Sequence, residues 1–218
     1  MLARITIVAA ATVVLAGAAL AANPRDPQKH FTSADQAWAR TLLVKRADLP
    51  GTGWKSQKST NSDSRCNSFN PDESKLVETG EQSSPEFTRV GGFVSSAAAV
   101  FRTARDAQAS WNLEVKPQLL DCLAESLRQT STGNATIKIV SRGKLPYPHL
   151  APRTAAFYVR IGFVVQGIKF DANVRIVCLG RGRADFFLMT FSPSSPLAPL
   201  PAGLDRKLAG KLAQRLAH

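Results

Sequence analysis

Residues 155–178 read AAFYVRIGFVVQGIKFDANVRIVC, and their alternation decides the fold. Phe157, Val159, Ile161, Phe163 and Val165 alternate with Ala156, Tyr158, Arg160, Gly162 and Val164. After Gln166-Gly167, the series Ile168, Phe170, Ala172, Val174, Ile176 and Cys178 alternates with Lys169, Asp171, Asn173 and Arg175. A period of two marks strands, and a two-residue link between two such runs marks a hairpin. Pairing Val165 with Ile168 then fixes the register. Phe163 faces Phe170, Ile161 faces Ala172 and Val159 faces Val174 on the side that must be buried. The other side sets Tyr158 against Arg175, Arg160 against Asn173 and Val164 against Lys169.

Outward from this hairpin, Gly180-Arg181-Gly182-Arg183 reads as a second turn. Ala184 to Phe191 reads as a strand that is apolar on both faces and therefore interior. Upstream, Gly133-Asn134 leads into a strand over Ala135 to Arg142, and the three prolines between Leu145 and Pro152 mark a loop. Downstream, the proline-rich stretch Ser192 to Pro201 connects to Leu204, Leu208, Leu212 and Leu216. That four-residue spacing predicts an amphipathic helix with Lys207, Lys211 and Arg215 on its other side.

The first half is less regular. Ser33 reads as the N-cap of a helix from Ala34 to Arg46, stopped by Pro50, Gly51 and Gly53 ahead of Trp54. Residues 55–86 read as one long polar loop, in which Asp72 and Glu73 read as solvated. Phe87 to Phe101 reads as a strand bent at Gly91-Gly92. Thr103 caps a helix to Lys116, and Pro117 opens a second helix with Leu119, Leu120, Leu123 and Leu127 on one stripe. The expected fold class is α+β: an antiparallel sheet of about four to five strands, flanked by helices on one face and ending in the amphipathic helix.

Residues 1–21 read as a signal peptide. Arg4 gives a basic start, Ile5 to Leu15 an apolar run, and Ala19-Leu20-Ala21 the small-x-small pattern of a cleavage site. The expected organisation is a signal over 1–21, a flexible leader over 22–32 and a single domain over 33–218. The expected destination is outside the cytoplasm, with no transmembrane segment in the mature chain. Hydrophobic residues make up 44% of the chain, enough for a core, while 28 Lys and Arg against 16 Asp and Glu give a net charge of +12. That excess favours anionic small molecules, lipid headgroups and envelope polyanions over cationic partners. Nothing in the sequence marks a specific nucleic-acid reader.

The chain has three cysteines. In an oxidising compartment two pair and one is left. Cys66 sits in a Ser/Asn-rich loop that can move to a partner, and Cys122 sits in a helix. Cys178 ends a strand on its apolar side, where a thiol packs as a small hydrophobe. The expected bridge is Cys66–Cys122.

Ala47-Asp48-Leu49-Pro50 with Gly53-Trp54, the later Cys66, the Val94-to-Phe101 strand running into an Ala-rich helix, and Cys122 together resemble the PknH-like extracellular sensor-domain group. The resemblance implies an antiparallel sheet flanked by helices, a disulfide and a ligand cleft. It supplies no catalytic residues. The chain departs from the group in lacking a kinase domain, a membrane anchor and a fourth cysteine.

No chemistry competes with a binding role. Neither a G-x-S-x-G elbow nor an H-E-x-x-H motif occurs, and His30, His149 and His218 stand apart. No C-x-x-C or paired His offers metal-ligand spacing, and no cofactor is implied. The one constellation is Tyr158, Arg160, Lys169, Asn173 and Arg175 on a single hairpin face, with Arg181 and Arg183 at the adjoining turn. Guanidinium groups beside a Tyr and an Asn could hold a carboxylate, phosphate or sulfate. The alternatives are a solvated outer face, or a face covered by a helix whose carboxylates pair with the arginines. The expected function is a secreted, non-enzymatic, sensor-like binding module for an anionic or lipid-borne ligand. The alternative is a basic envelope-associated protein without a small-molecule site. Intact-mass measurement of protein recovered from culture medium should give a chain starting near Ala22. Full-length chain found only in membranes would contradict the signal reading.

Overall fold

The computed structural model describes residues 23–58, 68–90, 92–129, 135–165, 168–194 and 199–217. The signal segment, Cys66 and the Gln166-Gly167 link lie outside them. The hairpin register is as the alternation requires. Strand β7 (Arg153–Val165) pairs antiparallel with β8 (Ile168–Arg181), with Phe163↔Phe170, Val159↔Val174, Tyr158↔Arg175 and Arg160↔Asn173 in register. On either side lie β6 (Ala135–Lys144) and β9 (Ala184–Pro193). β9 is interior, as its two apolar faces demand, because β5 (Gly92–Phe101) pairs along its far edge.

Strand count and sheet type differ from expectation. The described residues form a nine-stranded mixed sheet in the order β1-β3-β5-β9-β8-β7-β6, with a β2–β4 pair attached at β5. Three strands lie in or at the edge of the stretch read as polar loop: β2 (Lys55–Gln57), β3 (Val77–Ser83) and β4 (Glu86–Arg89). β3 and β4 occupy successive halves of the same edge of β5. The chain steps from one to the other at Ser84, whose N–H donates to the Ser96 carbonyl and whose hydroxyl accepts from the Ser96 N–H. The leader is also docked. β1 (Gln28–Lys29) runs parallel to β3, which makes the sheet mixed. β3 escaped the sequence reading because four consecutive residues, Val77 to Gly80, are buried whatever their polarity, so no alternation shows.

The helices also depart from expectation, since they cover both faces. Helices α1 (Ser33–Thr41) and α4 (Leu204–Leu216) pack on one side against Val94, Ala98, Val177, Leu179, Phe186 and Leu188. Helices α2 (Ala104–Glu114) and α3 (Leu119–Gln129) pack on the other against Phe157, Val159, Ile161, Val174, Ile176 and Cys178. The reason is the composition of β8 and β9: Val177 and Leu179 face one way, Ile176 and Cys178 the other, and both sides need cover. The α4 stripe is as read, with Leu204, Leu208, Leu212 and Leu216 all buried. Thr103 caps α2 by accepting from the Asp106 N–H at 3.0 Å. At α1 the cap is Thr32 rather than Ser33, and the helix stops at Thr41. Beyond it, Leu42, Leu43 and Val44 leave the helix to enter the core.

α1 approaches β3 so closely that a Cβ at Gly80 would lie 2.5 Å from the Asp35 carbonyl oxygen. The fold is then clamped by arginines. Arg183 forks onto both oxygens of Asp35 at 2.9 and 3.1 Å and stacks over Trp38. Arg215 of α4 holds Asp48 at 2.6 Å and the Leu43 carbonyl at 2.7 Å.

Cys178 is a buried free thiol, as expected, and Cys122 is disulfide-bonded. Burial pushes the Cys178 thiol well above its ordinary range, with Glu114 and Asp185 adding to the effect. The expected partner Cys66 lies outside the described residues. A non-reducing peptide map should therefore show a Cys66–Cys122 peptide and an unmodified Cys178 that resists alkylation until the protein unfolds. The cross-strand Phe163–Phe170 pair stacks at 5.0 Å as register requires, but both rings are half-buried rather than fully buried. Phe157, only 1% exposed, is the packed counterpart. In urea titrations Phe157→Ala should cost about 3–5 kcal/mol and Phe163→Ala clearly less, because a half-exposed ring leaves no closed cavity behind. The reverse order would contradict the placement of the second core.

Candidate functional site

The five residues singled out from the sequence share one sheet face, the side on which α4 lies, but they do not form one site. Arg175 gives a 2.9 Å ion pair to Asp205 in the first turn of α4. Arg160 pairs with Asp171 at 2.5 Å in an exposed contact. Tyr158 lies against Gly143 of β6. Lys169 is exposed. Asn173 and Arg175 border a small cavity of about 160 Å³ with Thr190, Ser192 and the Leu200–Asp205 turn. Arg175 is thus answered by a helix carboxylate, one of the alternatives open from sequence. At the adjoining turn, Arg183 is committed to Asp35.

The larger cavity, about 390 Å³, lies on the opposite face. β5 makes space for it. Its run Ala97-Ala98-Ala99 offers only methyl groups beside Phe187 of β9 and Glu81 of β3, which leaves a shallow floor. Ala97, Ala99, Phe101, Leu119 and Phe187 supply that floor and wall. The rim and interior are acidic: Asp26, Glu73, Glu78, Glu81 and Glu114 line the cavity, with Lys29 the one basic side chain among its lining residues. Five of the chain's 16 acids gather here in a protein whose net charge is +12.

Each acid is placed by its own element. Glu73 is pinned at the backbone, its N–H donating to the Arg25 carbonyl at 2.7 Å while its carbonyl accepts from Leu76 at 2.8 Å. Its side chain is 5% exposed, and Oε1 is buried without a hydrogen-bond partner. Ser110 and Glu114 of α2 face this side chain. Ala107, Ser110 and Glu114 recur at helical spacing, so the stripe that buries Ala107 also turns Glu114 inward. Burial and the Glu73 charge push Glu114 well above the usual carboxylate range. Glu73 too is raised, by burial first.

Glu78 of β3 is also 5% exposed. Burial, with Glu81 nearby, pushes it up to about 8. Lys29 is the counterweight, its Nζ 2.6 Å from Glu81. Deeper in the sheet, Arg153 and Asp185 close the acidic region from below at 2.9 Å, over Gly180, where any Cβ would collide with both side chains. Burial nonetheless holds Asp185 up at about 6. Among the described residues, no three His, Cys, Asp or Glu side chains converge to hold a metal ion.

Comparisons with known proteins add little. No protein-family model and no curated protein matches the chain. Among solved structures, the extracellular domain of PknH from Mycobacterium tuberculosis matches it at 9% identity, covering 84% of this chain and 96% of that one, with a TM-score of 0.42. Family membership does not follow from that likeness. No described helix is long and apolar enough to cross a membrane.

Sequence reasoning missed Glu73, Glu78 and Glu114, and placed Glu73 in solvent. Glu114 had a readable signal in its helical spacing from Ala107. Glu73 and Glu78 had none, since nothing local shows which element will cover them.

These acids set the pH dependence of stability. Glu78 has a raised folded-state pKa, so its contribution is fully present below the ordinary 4.5 and is lost as pH rises through about 8. Asp35 is lowered by its hydrogen bonds from Arg183, so its contribution is present above 3.8 and is lost as pH falls. Thermal melts of the unliganded protein should therefore peak in mild acid and decline from about pH 5 to 8, and Glu78→Gln should flatten the decline. A wild-type melting temperature that rises steadily to pH 8 would contradict the burial of Glu78.

Proposed function

We propose that this protein is a secreted, non-enzymatic, sensor-like binding module whose ligand site is the acidic cleft bounded by α2, α3, β1, β3 and β5. The ligand this cleft suits is a small organic cation with an apolar stem. One observation carries the reading: buried carboxyls without full partners surround an apolar floor in a chain that is otherwise strongly basic. A carboxylate held out of water without a partner costs folding energy, and a cation entering beside it returns that energy as affinity. The apolar stem would cover Ala97, Ala99 and Phe187 and add a hydrophobic contribution. An anion in the same place would meet repulsion from every side but that of Lys29.

This replaces the anion-binding expectation for the Tyr158–Arg175 face, because Arg160 and Arg175 there already have carboxylate partners. A second reading, association with envelope polyanions, draws on the exposed Lys169, Arg206 and Lys207 outside those clamps. Such binding would be shallow and would fade with salt.

Calorimetry with hexylammonium, hexanol and hexanoate, three probes of one size, tests the first reading. Hexylammonium is expected to bind, hexanol weakly or not at all, and hexanoate not at all. Glu73→Gln should weaken hexylammonium by about tenfold, the order of one hydrogen bond to a charged group. Preferred binding of hexanoate would overturn the reading. Binding only to phosphatidylglycerol vesicles, lost at high salt, would favour the second.

A further inference from the structure

The smaller cavity, on the sheet face that carries α4, is built apart from the acidic cleft. Its floor is the end of β8 and β9, where Asn173 pairs with Ser192 and Arg175 with Thr190 in register. Its wall is the turn from Leu200 to Asp205. That turn is anchored at its start. The Leu200 N–H donates to the Ser192 hydroxyl at 3.0 Å, and the Leu200 side chain sits so close over β5 that a Cβ at Gly92 would lie 2.7 Å from it. Gly203, at φ 68°, then turns the chain into α4 through a left-handed conformation that glycine adopts without strain.

The polar groups around this cavity do not fully answer one another. Arg175 Nη1 donates to Asp205 Oδ1 at 2.9 Å, while Asp205 Oδ2 is buried without a partner. The Asp205 side chain is 5% exposed and that of Arg175 43%, so the acid is fixed in the wall and much of the arginine stays open. A guanidinium has five N–H donors, and one bond to Asp205 leaves others to spend. Thr190, a buried polar residue, adds a hydroxyl to the lining, and exposed Asn173 adds an amide. A buried acceptor left without a donor costs stability, and a donor brought to it returns that cost as affinity.

We propose that this cavity binds one neutral polyhydroxylated ring, of the size and chemistry of a monosaccharide, independently of the acidic cleft. Charge selects a neutral occupant. Arg175 and Asp205 cancel, so neither an anion nor a cation meets an unopposed counter-charge. Hydrogen bonding selects hydroxyls. The cavity offers an acceptor in Asp205, donors in Arg175 and Asn173, and both functions in Thr190 and Ser192, and a hydroxyl alone donates and accepts from one atom. The last torsion of a carboxylate is broad and twofold, so a modest turn brings Oδ2 to a hydroxyl in the cavity. Leu200, Pro201 and Leu204 supply an apolar side for the C–H face of the ring. A volume of about 160 Å³ limits the occupant to a single ring.

Saturation-transfer NMR on the intact mature protein tests the proposal. The probes are glucose, mannose, galactose and myo-inositol as neutral rings, alanine as a zwitterion, and hexanoate and hexylammonium as ions. At least one neutral ring is expected to bind with millimolar affinity that salt leaves unchanged, because no net charge is being screened. Thr190→Val, which keeps the shape and removes the hydroxyl, and Asn173→Ala should each weaken that ring by about three- to tenfold, the loss of one hydrogen bond. Asn173 is exposed, so its variant reads binding even where Thr190→Val lowers stability. Glu73→Gln, in the acidic cleft, should leave ring binding as it is. No transfer to any neutral ring at tens of millimolar would mean that water alone fills the cavity and would overturn the proposal. Ring binding that both variants leave intact would overturn it too, as would alanine or either ion binding in preference to every ring and responding to Asn173→Ala. The cation reading of the acidic cleft stands or falls separately, on hexylammonium binding that responds to Glu73→Gln.

Discussion

The thirteen paired positions of β7 and β8 are the constraint on which the rest of the structure depends. A two-residue link leaves the register no freedom, and the register assigns every later side chain to a face. Once Val159 and Val174 lie on one side, Ile176 and Cys178 must lie there too, and Val177 and Leu179 must lie on the other. Sheet faces that are apolar on both sides cannot stay open to water. The result is two cores, one under α1 and α4 and one under α2 and α3. The cleft arises where the second cover reaches the alanine run of β5 and no longer fills the space.

The arginines account for the basic composition differently from a ligand-binding patch. Arg153, Arg175, Arg183 and Arg215 each hold an aspartate from a distant part of the chain, and three of those contacts fasten a helix or its flanking turn to another element. A rigid guanidinium fork suits such joints, since it can meet a carboxylate and a backbone carbonyl together. Arg183 does so with Asp35 and Phe101, and Arg215 with Asp48 and Leu43. The segment from Lys138 to Arg183 contains one acid, Asp171, which made it look strongly positive as a sequence. In space it receives Asp121, Asp185, Asp205 and Asp35 from outside. Local charge counts along a chain therefore misstate the field wherever long-range ion pairs close the fold.

The acids show the converse. Sixteen carboxyls in an excess of cations read as incidental, yet five line one cavity, and three of these, Glu73, Glu78 and Glu114, have their pKa raised by burial. Holding carboxyls out of water without partners costs stability that nothing in the fold alone repays. Sites that bear such a cost are where ligands commonly act.

By itself the sequence determined what short-range physics controls. It set the β7–β8 register through alternation and turn length, the interior place of β9 through its doubly apolar run, the buried leucine stripe of α4, and the Thr103 cap. It also marked Cys178 as a core thiol from its side of the strand. Only the tertiary structure decided which distant elements meet. Strand β3 takes its order from pairing with β5 and β1, so Val77 to Gly80 are buried without any periodic signal. The partners of the arginines, the cover on both sheet faces and the burial of Glu73 and Glu78 follow from that same meeting of segments. Hydrophobic period and loop length act over a few residues. Burial and charge pairing are properties of the assembled surface, and no window of sequence contains them.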